Sequence, residues 1–327
     1  MSRPDSDTRP TVITGGAGFI GSHLTERLLE SGRKVIGFDS IDGDYDPQMK
    51  RSRLAKFLPN NNYRFVEGDI RNGELLRRLF ADEDVGMVYH LAAKVGVRES
   101  LEAPDLYFDV NVNGTQTLLD AMVAARVPRL LFTSSSSVYG SNTTLPFSES
   151  GPPAPISPYG RTKVRGEELC AEYRKQYALD ARVVRLFTFY GPSSRPDMAI
   201  SRFIQAALCG EAINLFGDGS LRRDFTWVGD GVEGIVLVSS VAEAPPVVNI
   251  GSGSSVTLNE LVAVIAEATG FEPTINILPK HSLDVEATEA NLTIARSIGY
   301  EPHVQLRQGI RRCIEELCTQ SRKGRQR

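Results

Sequence analysis

The sequence predicts an α/β protein: a doubly wound parallel sheet with helices on both faces, joined to a smaller mixed α/β lobe at its C-terminal end. Two observations carry this. Through the first half, short β-branched runs alternate with segments whose apolar residues recur at helical spacing, which gives parallel strands linked by crossover helices. The strand runs are also nearly continuous in apolar residues, as strands buried on both faces must be. At 327 residues the chain exceeds most single cores, so one large domain or two closely joined ones are expected.

The strands read in order as TVIT (11–14), KVIGFD (34–39), YRFVEGD (63–69), GMVYHLA (86–92), RLLFTSS (129–135) and ARVVRLF (181–187). HLTERLLESG and VNGTQTLLDAMVAARV are examples of the helical segments between them. These elements place the first domain over 10–190, with a later strand and helix returning to it. After about residue 190 the texture changes: Pro and Gly become frequent (YGPSSRPDMA, LFGDGS, APPVVNIGSGSS) and shorter elements interleave. Residues 191–320 are therefore mainly the second lobe. Within it TLNELVAVIAEATG (257–270) is a helix, with Thr257 and Glu260 as a capping box and Gly270 as the stop. Residues 1–9 and 321–327 are expected to be disordered tails.

Composition narrows the class. A net charge of −3 leaves no excess of cations to cover phosphates, which excludes a non-specific nucleic-acid binder. No apolar run approaches the roughly 20 residues that span a bilayer. The start, MSRPDSDTRP, has no hydrophobic segment behind its charges, so a cytoplasmic protein without a signal peptide is expected. Cys170, Cys209, Cys313 and Cys318 form no CxxC pair and the four histidines do not cluster, so neither a disulfide framework nor a metal site is expected.

In TVITGGAGFIGSHL, Gly16, Gly18 and Gly21 have GxGxxG spacing between a strand and a helix. Such glycines permit a tight turn and let the backbone approach a pyrophosphate at the helix N-terminus. Asp39 ends the next strand, 18 residues after Gly21. A carboxylate there accepts from the ribose hydroxyls of NAD and repels the extra phosphate of NADP. Asp69, in EGDI, is placed for an adenine-side contact. Loop capping is the alternative for both carboxylates.

SPYGRTK puts Tyr159 and Lys163 four apart at the start of a helix, hence on one face. A lysine ammonium beside a phenol stabilises the phenolate, so the tyrosine pKa is expected to fall and the residue to serve as a base. A solvent-facing pair is the alternative. The serine run in TSSSSVYG (133–140) is the composition of a linker, yet it ends an apolar strand.

On these residues the chain, from about residue 10 to 315, resembles the extended short-chain dehydrogenase/reductase family. The resemblance implies a Rossmann dinucleotide domain with cofactor contacts at Gly15, Gly16, Gly18, Phe19, Ile20, Gly21, Asp39, Asp69, Ile70, Leu91, Ala92 and Ala93, and also at Tyr159 and Lys163. It makes Ser135, four residues before Tyr139, the hydroxyl that donates to the substrate. Members that dehydrate nucleotide sugars carry Asp-Glu at the two following positions, and the decarboxylases carry Glu at the second. Ser136 and Ser137 stand here instead, which argues against both reactions.

Within the family, KVGVRESL (94–101), SSSSVYG (134–140), FTFYGPSSRPDMA (187–199) and RDFTWV (223–228) are similar to the UDP-glucuronate 4-epimerases. Arg195 offers a planar fork suited to a uronate carboxylate, with a surface pair to Asp197 as the alternative. The resemblance adds Ser136, Ser137 and Thr188 to that carboxylate pocket, assigns Arg223 to the pyrophosphate and Asp284 to the ribose of the sugar nucleotide, and puts His281 where the family has an arginine. Arg98 either compensates for that change or lies on a helix surface. The implied function is an NAD-dependent 4-epimerase converting UDP-glucuronate to UDP-galacturonate through a 4-keto intermediate, with NAD retained. The implied assembly is a homodimer built on the two long helices that follow strands four and five. The rivals are UDP-glucose/UDP-galactose 4-epimerisation and a non-catalytic NAD-binding protein, the latter disfavoured by the retained Tyr-Lys pair.

Overall fold

A computed structural model describes residues 8–42 and 45–324. The chain opens with β1 (Thr11–Thr14), α1 (Phe19–Glu30), β2 (Val35–Asp39), α2 (Pro47–Ala55), β3 (Tyr63–Glu67), α3 (Gly73–Asp82) and β4 (Met87–His90). Then come α4 (Glu99–Glu102), α5 (Pro104–Phe108), α6 (Gly114–Ala124), β5 (Arg129–Ser135), α7 (Pro158–Tyr177) and β6 (Asp180–Leu186). The remainder is β7 (Thr188–Tyr190), α8 (Ala199–Cys209), β8 (Ile213–Phe216), β9 (Arg222–Arg223), β10 (Phe225–Trp227), α9 (Val228–Ser240), β11 (Val247–Ile250), β12 (Val256–Thr257), α10 (Leu258–Thr269), β13 (Ile275–Leu278), α11 (Thr293–Ser297) and α12 (Leu306–Gly324).

Seven strands run parallel in the order β11-β6-β5-β4-β1-β2-β3. All six runs read as strands from the sequence are in this sheet, and β11 returns to it from the second half. Alternation along each strand splits the apolar residues between two layers. Val12, Ile36, Val88, Leu130 and Val183 pack on Leu76, Leu118, Met122 and Leu169 of α3, α6 and α7. Their neighbours Ile13, Tyr89, Leu131 and Val184 pack with Leu24 and Leu28 of α1 and Ile235 and Val238 of α9. Strand order reverses at β1, which pairs with both β2 and β4. Connections leave this point in opposite directions and open a crevice at the strands' carboxyl ends.

The second lobe has its own core, in which Ile200, Phe203 and Ile204 of α8 meet Leu261 and Ile265 of α10 and Ile310 of α12. The capping box forms: Thr257 Oγ1 accepts from the Glu260 N–H at 3.0 Å, Glu260 returns the bond at 2.6 Å, and Gly270 ends the helix at φ +70°. Asp224, fully buried between β9 and β10, accepts from the N–H groups of Ser252 (2.7 Å), Gly253 (3.0 Å) and Ala290 (3.1 Å), and so ties two loops to one carboxylate.

One difference from the sequence pattern bears on the site. The segment read as a single helix before residue 127 begins in a π-helical turn, Asp109–Asn113. That wider turn lets the Asn111 side chain accept from the N–H of Lys94 at 2.7 Å and donate to Thr162 Oγ1 at 3.0 Å, pinning the loop after β4 to α7. Of the ends expected to be disordered, 1–7 and 325–327 lie outside the described residues; Arg9 pairs with Asp84 and α12 continues to Gly324. Among the described residues no helix is long and apolar enough to cross a membrane.

Candidate active site

The turn after β1 is built from close backbone approach. The N–H of Gly15 donates to the Phe38 carbonyl at 2.8 Å, fixing the turn to the end of β2. A Cβ on Gly21 would lie 2.1 Å from the Gly15 oxygen, and one on Gly15, at φ +71°, would meet the Ala92 nitrogen at 2.8 Å. Glycine is therefore required at both positions. Helix α1 starts directly from this turn with no side-chain cap, which leaves its first-turn N–H groups and positive dipole end for an anion.

Asp39 is 5% exposed at the end of β2. Its carboxylate accepts from the N–H of Ala17 (3.1 Å) and of Ile41 (2.9 Å) and from Lys50 Nζ on α2 (2.9 Å). It caps the loop and also walls the cavity. Lys50 escaped the sequence reading, since in PQMKRSRL it is one cation in a basic helix start, indistinguishable from a solvated face. Asp69 is held by Arg71, whose N–H it accepts at 2.8 Å, and the paired guanidinium holds its carboxyl below the usual range.

A cavity of about 420 Å3 runs from this turn to α7. Of the residues expected from the sequence, Gly15, Gly18, Phe19, Ile20, Gly21, Asp39, Asp69, Ile70, Leu91, Ala92, Ala93, Ser135, Tyr159, Lys163, Thr188 and Arg195 line it. Gly16, Ser136, Ser137, Arg98, Arg223 and Asp284 are not in its wall.

At the far end Ser157 caps α7, accepting from the Gly160 N–H at 3.0 Å, and Pro158 occupies the first turn. In the first two turns, Tyr159 and Lys163 lie one turn apart on the same face. Lys163 is 4% exposed and donates to the Thr133 carbonyl at 2.8 Å, with its nitrogen 5.9 Å from the Tyr159 ring centre. Burial pulls its pKa down to about 8, against the opposing field of Glu167. The expectation that lysine lowers the tyrosine pKa is not met. Enclosure by the protein raises the Tyr159 phenol above its ordinary value, and the opposing influences are a hydrogen bond with Ser135 and the charge of Arg195. The ammonium donates to the main chain of β5 and makes no hydrogen bond to the phenol oxygen.

The serine run divides its work. Ser134 donates to Glu167 at 2.5 Å, and Glu167 takes two bonds from Arg185, at 2.9 and 2.7 Å. Ser135 Oγ accepts from the Ser137 N–H at 3.2 Å and the Ser137 hydroxyl at 3.0 Å, which leaves its own proton for a partner in the cavity. Ser136 and Ser137 form a short 3-10 turn behind it. Arg195 lines the cavity and also pairs with Asp197, at 3.0 Å through Nε.

A second cluster lies between the loop after β4 and the segment 281–285. Arg98 pairs with Asp284 at 2.8 Å and lies 4.1 Å over the Phe216 ring. Arg223 donates to the carbonyls of Arg222 and Val285, at 2.8 and 2.9 Å. His281 is tied into its own loop: its Nδ1 accepts from the Leu283 N–H at 3.1 Å, and its backbone N–H donates to the Asp284 carboxylate at 3.2 Å. Arg98 thus reaches across to the second lobe instead of lying on a helix surface.

The glycine turn that a Cβ would fill, the uncapped helix start and the Asp39 carboxylate together fit a dinucleotide, with Tyr159, Lys163 and Ser135 at its reactive end. Comparisons agree. Residues 11–251 match the model of the NAD dependent epimerase/dehydratase family. A UDP-glucuronate 4-epimerase from Thermodesulfobacterium geofontis is 36% identical over 306 residues, covering 93% of this chain and 94% of that protein. The structure of UDP-glucuronic acid 4-epimerase from Bacillus cereus, in complex with UDP-glucuronic acid and NAD, superposes with a TM-score of 0.91 at 34% identity, covering 95% of this chain and 99% of that one. MoeE5 in complex with UDP-glucose and NAD gives 0.85 at 38% identity, again covering 95% and 99%.

Proposed function

This chain belongs to the NAD dependent epimerase/dehydratase family, and from that premise we propose that it is an NAD-dependent UDP-glucuronate 4-epimerase, forming UDP-galacturonate. The observation that carries the substrate is Arg195, a cation in the same cavity wall as Tyr159, Ser135 and Thr188.

The glycine turn, Asp39 and Lys50 would hold NAD, whose nicotinamide would supply a reversible acceptor for the hydride at carbon 4 of the sugar. Tyr159, in its phenolate form, would take the proton of the 4-hydroxyl and return it, while Ser135 donates to the same oxygen. Lys163, fixed to the Thr133 carbonyl, keeps a cation beneath the Tyr159 ring. The 4-keto uronate is a β-keto acid, prone to lose carbon dioxide. Arg195 and Thr188 grip its carboxylate and hold it out of the geometry for that loss, with Ser136 and Ser137 behind Ser135 supporting the wall. Arg98, Arg223 and Asp284 take the nucleotide, with His281 ordering the Asp284 loop.

The reading includes residues 10–190 as the NAD domain and 191–320 as mainly the substrate lobe. It also includes a cytoplasmic homodimer pairing through α6 and α7. Leu101 on α4 and Phe108 on α5, exposed ahead of α6, support the pairing, and sedimentation velocity tests it.

Separate incubation with UDP-glucuronate and with UDP-glucose, followed by separation of the products, tests the function. UDP-galacturonate is expected; turnover of UDP-glucose alone would favour the neutral-sugar epimerase. MoeE5 was crystallised with UDP-glucose as well as with UDP-glucuronic acid, and the first of these complexes is what supports that second reading.

A further inference from the structure

Two successive carbonyls of the loop that carries Arg195 are held by side chains from the cofactor half of the molecule. His23 Nε2, on α1, lies 2.9 Å from the Pro192 oxygen. Arg53 Nη2, on α2, donates to the Ser193 oxygen at 2.7 Å. Through Nη1 the same guanidinium donates to the carbonyl of Ala17, inside the glycine turn, at 3.2 Å and to the Tyr45 hydroxyl at 2.8 Å.

Arg53 is 3% exposed, and the oxygens it bonds to are uncharged. Burying a guanidinium against neutral oxygens is costly compared with leaving it in water. An arrangement of this kind holds geometry at the expense of stability. The loop it holds contains a strained position: Ser193 sits at φ +57°, a left-handed conformation unfavourable for a residue with a Cβ. Arg195 follows two residues later and reaches the cavity, whereas neither His23 nor Arg53 lines it.

We propose that His23 and Arg53 are positioning residues that set where Arg195 stands relative to Tyr159, and through it the preference for a uronate over a neutral hexose; this rests on the substrate reading given above. Because Arg53 grips Ala17 and Ser193 together, the turn that holds the cofactor and the loop that holds the carboxylate share one anchor. Lysine at position 53 keeps the charge but has no planar fork to span the two carbonyls.

The test uses the full-length NAD-loaded protein carrying Arg53→Lys, His23→Ala, Arg195→Ala and the two pairwise combinations with Arg195→Ala. It measures kcat/KM for UDP-glucuronate, activity on or inhibition by UDP-glucose, the UDP-pentose released by decarboxylation, and the melting temperature. Each positioning variant is expected to lower kcat/KM for UDP-glucuronate about 10-fold more than the corresponding constant for UDP-glucose, with UDP-pentose rising. Combination with Arg195→Ala should cost no further selectivity, because both changes remove the same interaction.

Equal losses on the two sugars, or losses that add to those of Arg195→Ala, would overturn the proposal and leave Arg53 and His23 as structural ties. His23→Ala alters a half-buried side chain and leaves Arg53 in place, so it carries the test should Arg53→Lys fail to fold. A parent protein that leaves UDP-glucuronate unchanged would overturn the substrate reading and this proposal with it. An active parent with unselective variants overturns this proposal alone.

Discussion

Lys163 donates to the carbonyl oxygen of Thr133 at 2.8 Å, so the cation next to Tyr159 is fastened to the main chain of β5 and not to the phenol. Enclosure then dominates, and the phenol lies above its ordinary pKa of 10.0 in the ligand-free chain. In an ultraviolet titration the parent and Tyr159→Phe should release the same phenolate signal near neutral pH, since a phenol raised above its ordinary value stays protonated there. An additional phenolate in the parent near neutral pH would show the base to be preformed. Tyr159→Phe should still bind NAD and lose roughly 100-fold or more in turnover, as expected for removal of a positioned base.

Lys163 itself costs the fold stability. Its pKa falls from 10.5 to about 8 through burial. Between those values the unfolded chain binds the proton and the folded one does not, so this group's contribution to stability rises with pH across that window and is lowest below 8. The penalty at neutral pH is roughly 3 kcal/mol. Lys163→Met should therefore melt at a higher temperature than the parent at pH 7 while losing turnover, and the gap in melting temperature should narrow by pH 10. A variant less stable than its parent at pH 7 would show that the bond to Thr133 outweighs the burial.

Asp39 and Lys50 make one neutral pair, 2.9 Å apart, in the wall of the cofactor cavity. In Asp39→Asn the carboxylate that repels a 2′-phosphate is gone and the Lys50 ammonium is released beside it. The ratio of NADP to NAD affinity, measured by calorimetry, should rise by roughly 10-fold or more, in line with a new charge-assisted bond. An unchanged ratio would make Asp39 a loop cap and nothing else.

What the sequence displayed, and what it concealed, follows from the range of the interactions. The glycine turn, Asp39 and the Tyr159–Lys163 pair are local patterns whose spacing fixes their placement, and the six long strand runs were legible from apolar content alone. The strands of the second lobe are two to four residues each and stabilised by partners distant in sequence, so no period announces them. His23 meets Pro192 across 169 positions and Arg53 meets Ser193 across 140. Such side chains carry no local signal, and neither does the π-helical turn that aims Asn111 at Lys94. The direction in which the Lys163 ammonium points was also hidden, because spacing gives a face of a helix and not the atom a side chain reaches.

Arg195 is where the substrate reading stands or falls. Its guanidinium lines the cavity with Tyr159 and Thr188, and Asp197, which also pairs with it, is the only carboxylate among the described residues with a hydrogen bond to it. A bound uronate would supply a second carboxylate, and a neutral hexose would not. Arg195→Ala should therefore weaken turnover of UDP-glucuronate by about 10- to 150-fold, the range of one charge-assisted bond, and leave UDP-glucose turnover or inhibition nearly unchanged. Looser anchoring should also let the keto acid reach the alignment for decarboxylation, so UDP-pentose should accumulate beside UDP-galacturonate. Chromatography of the nucleotide products reads both effects in one experiment. An equal fall on both sugars, without pentose, would reduce Arg195 to the partner of Asp197 and shift the balance to the neutral-sugar reaction.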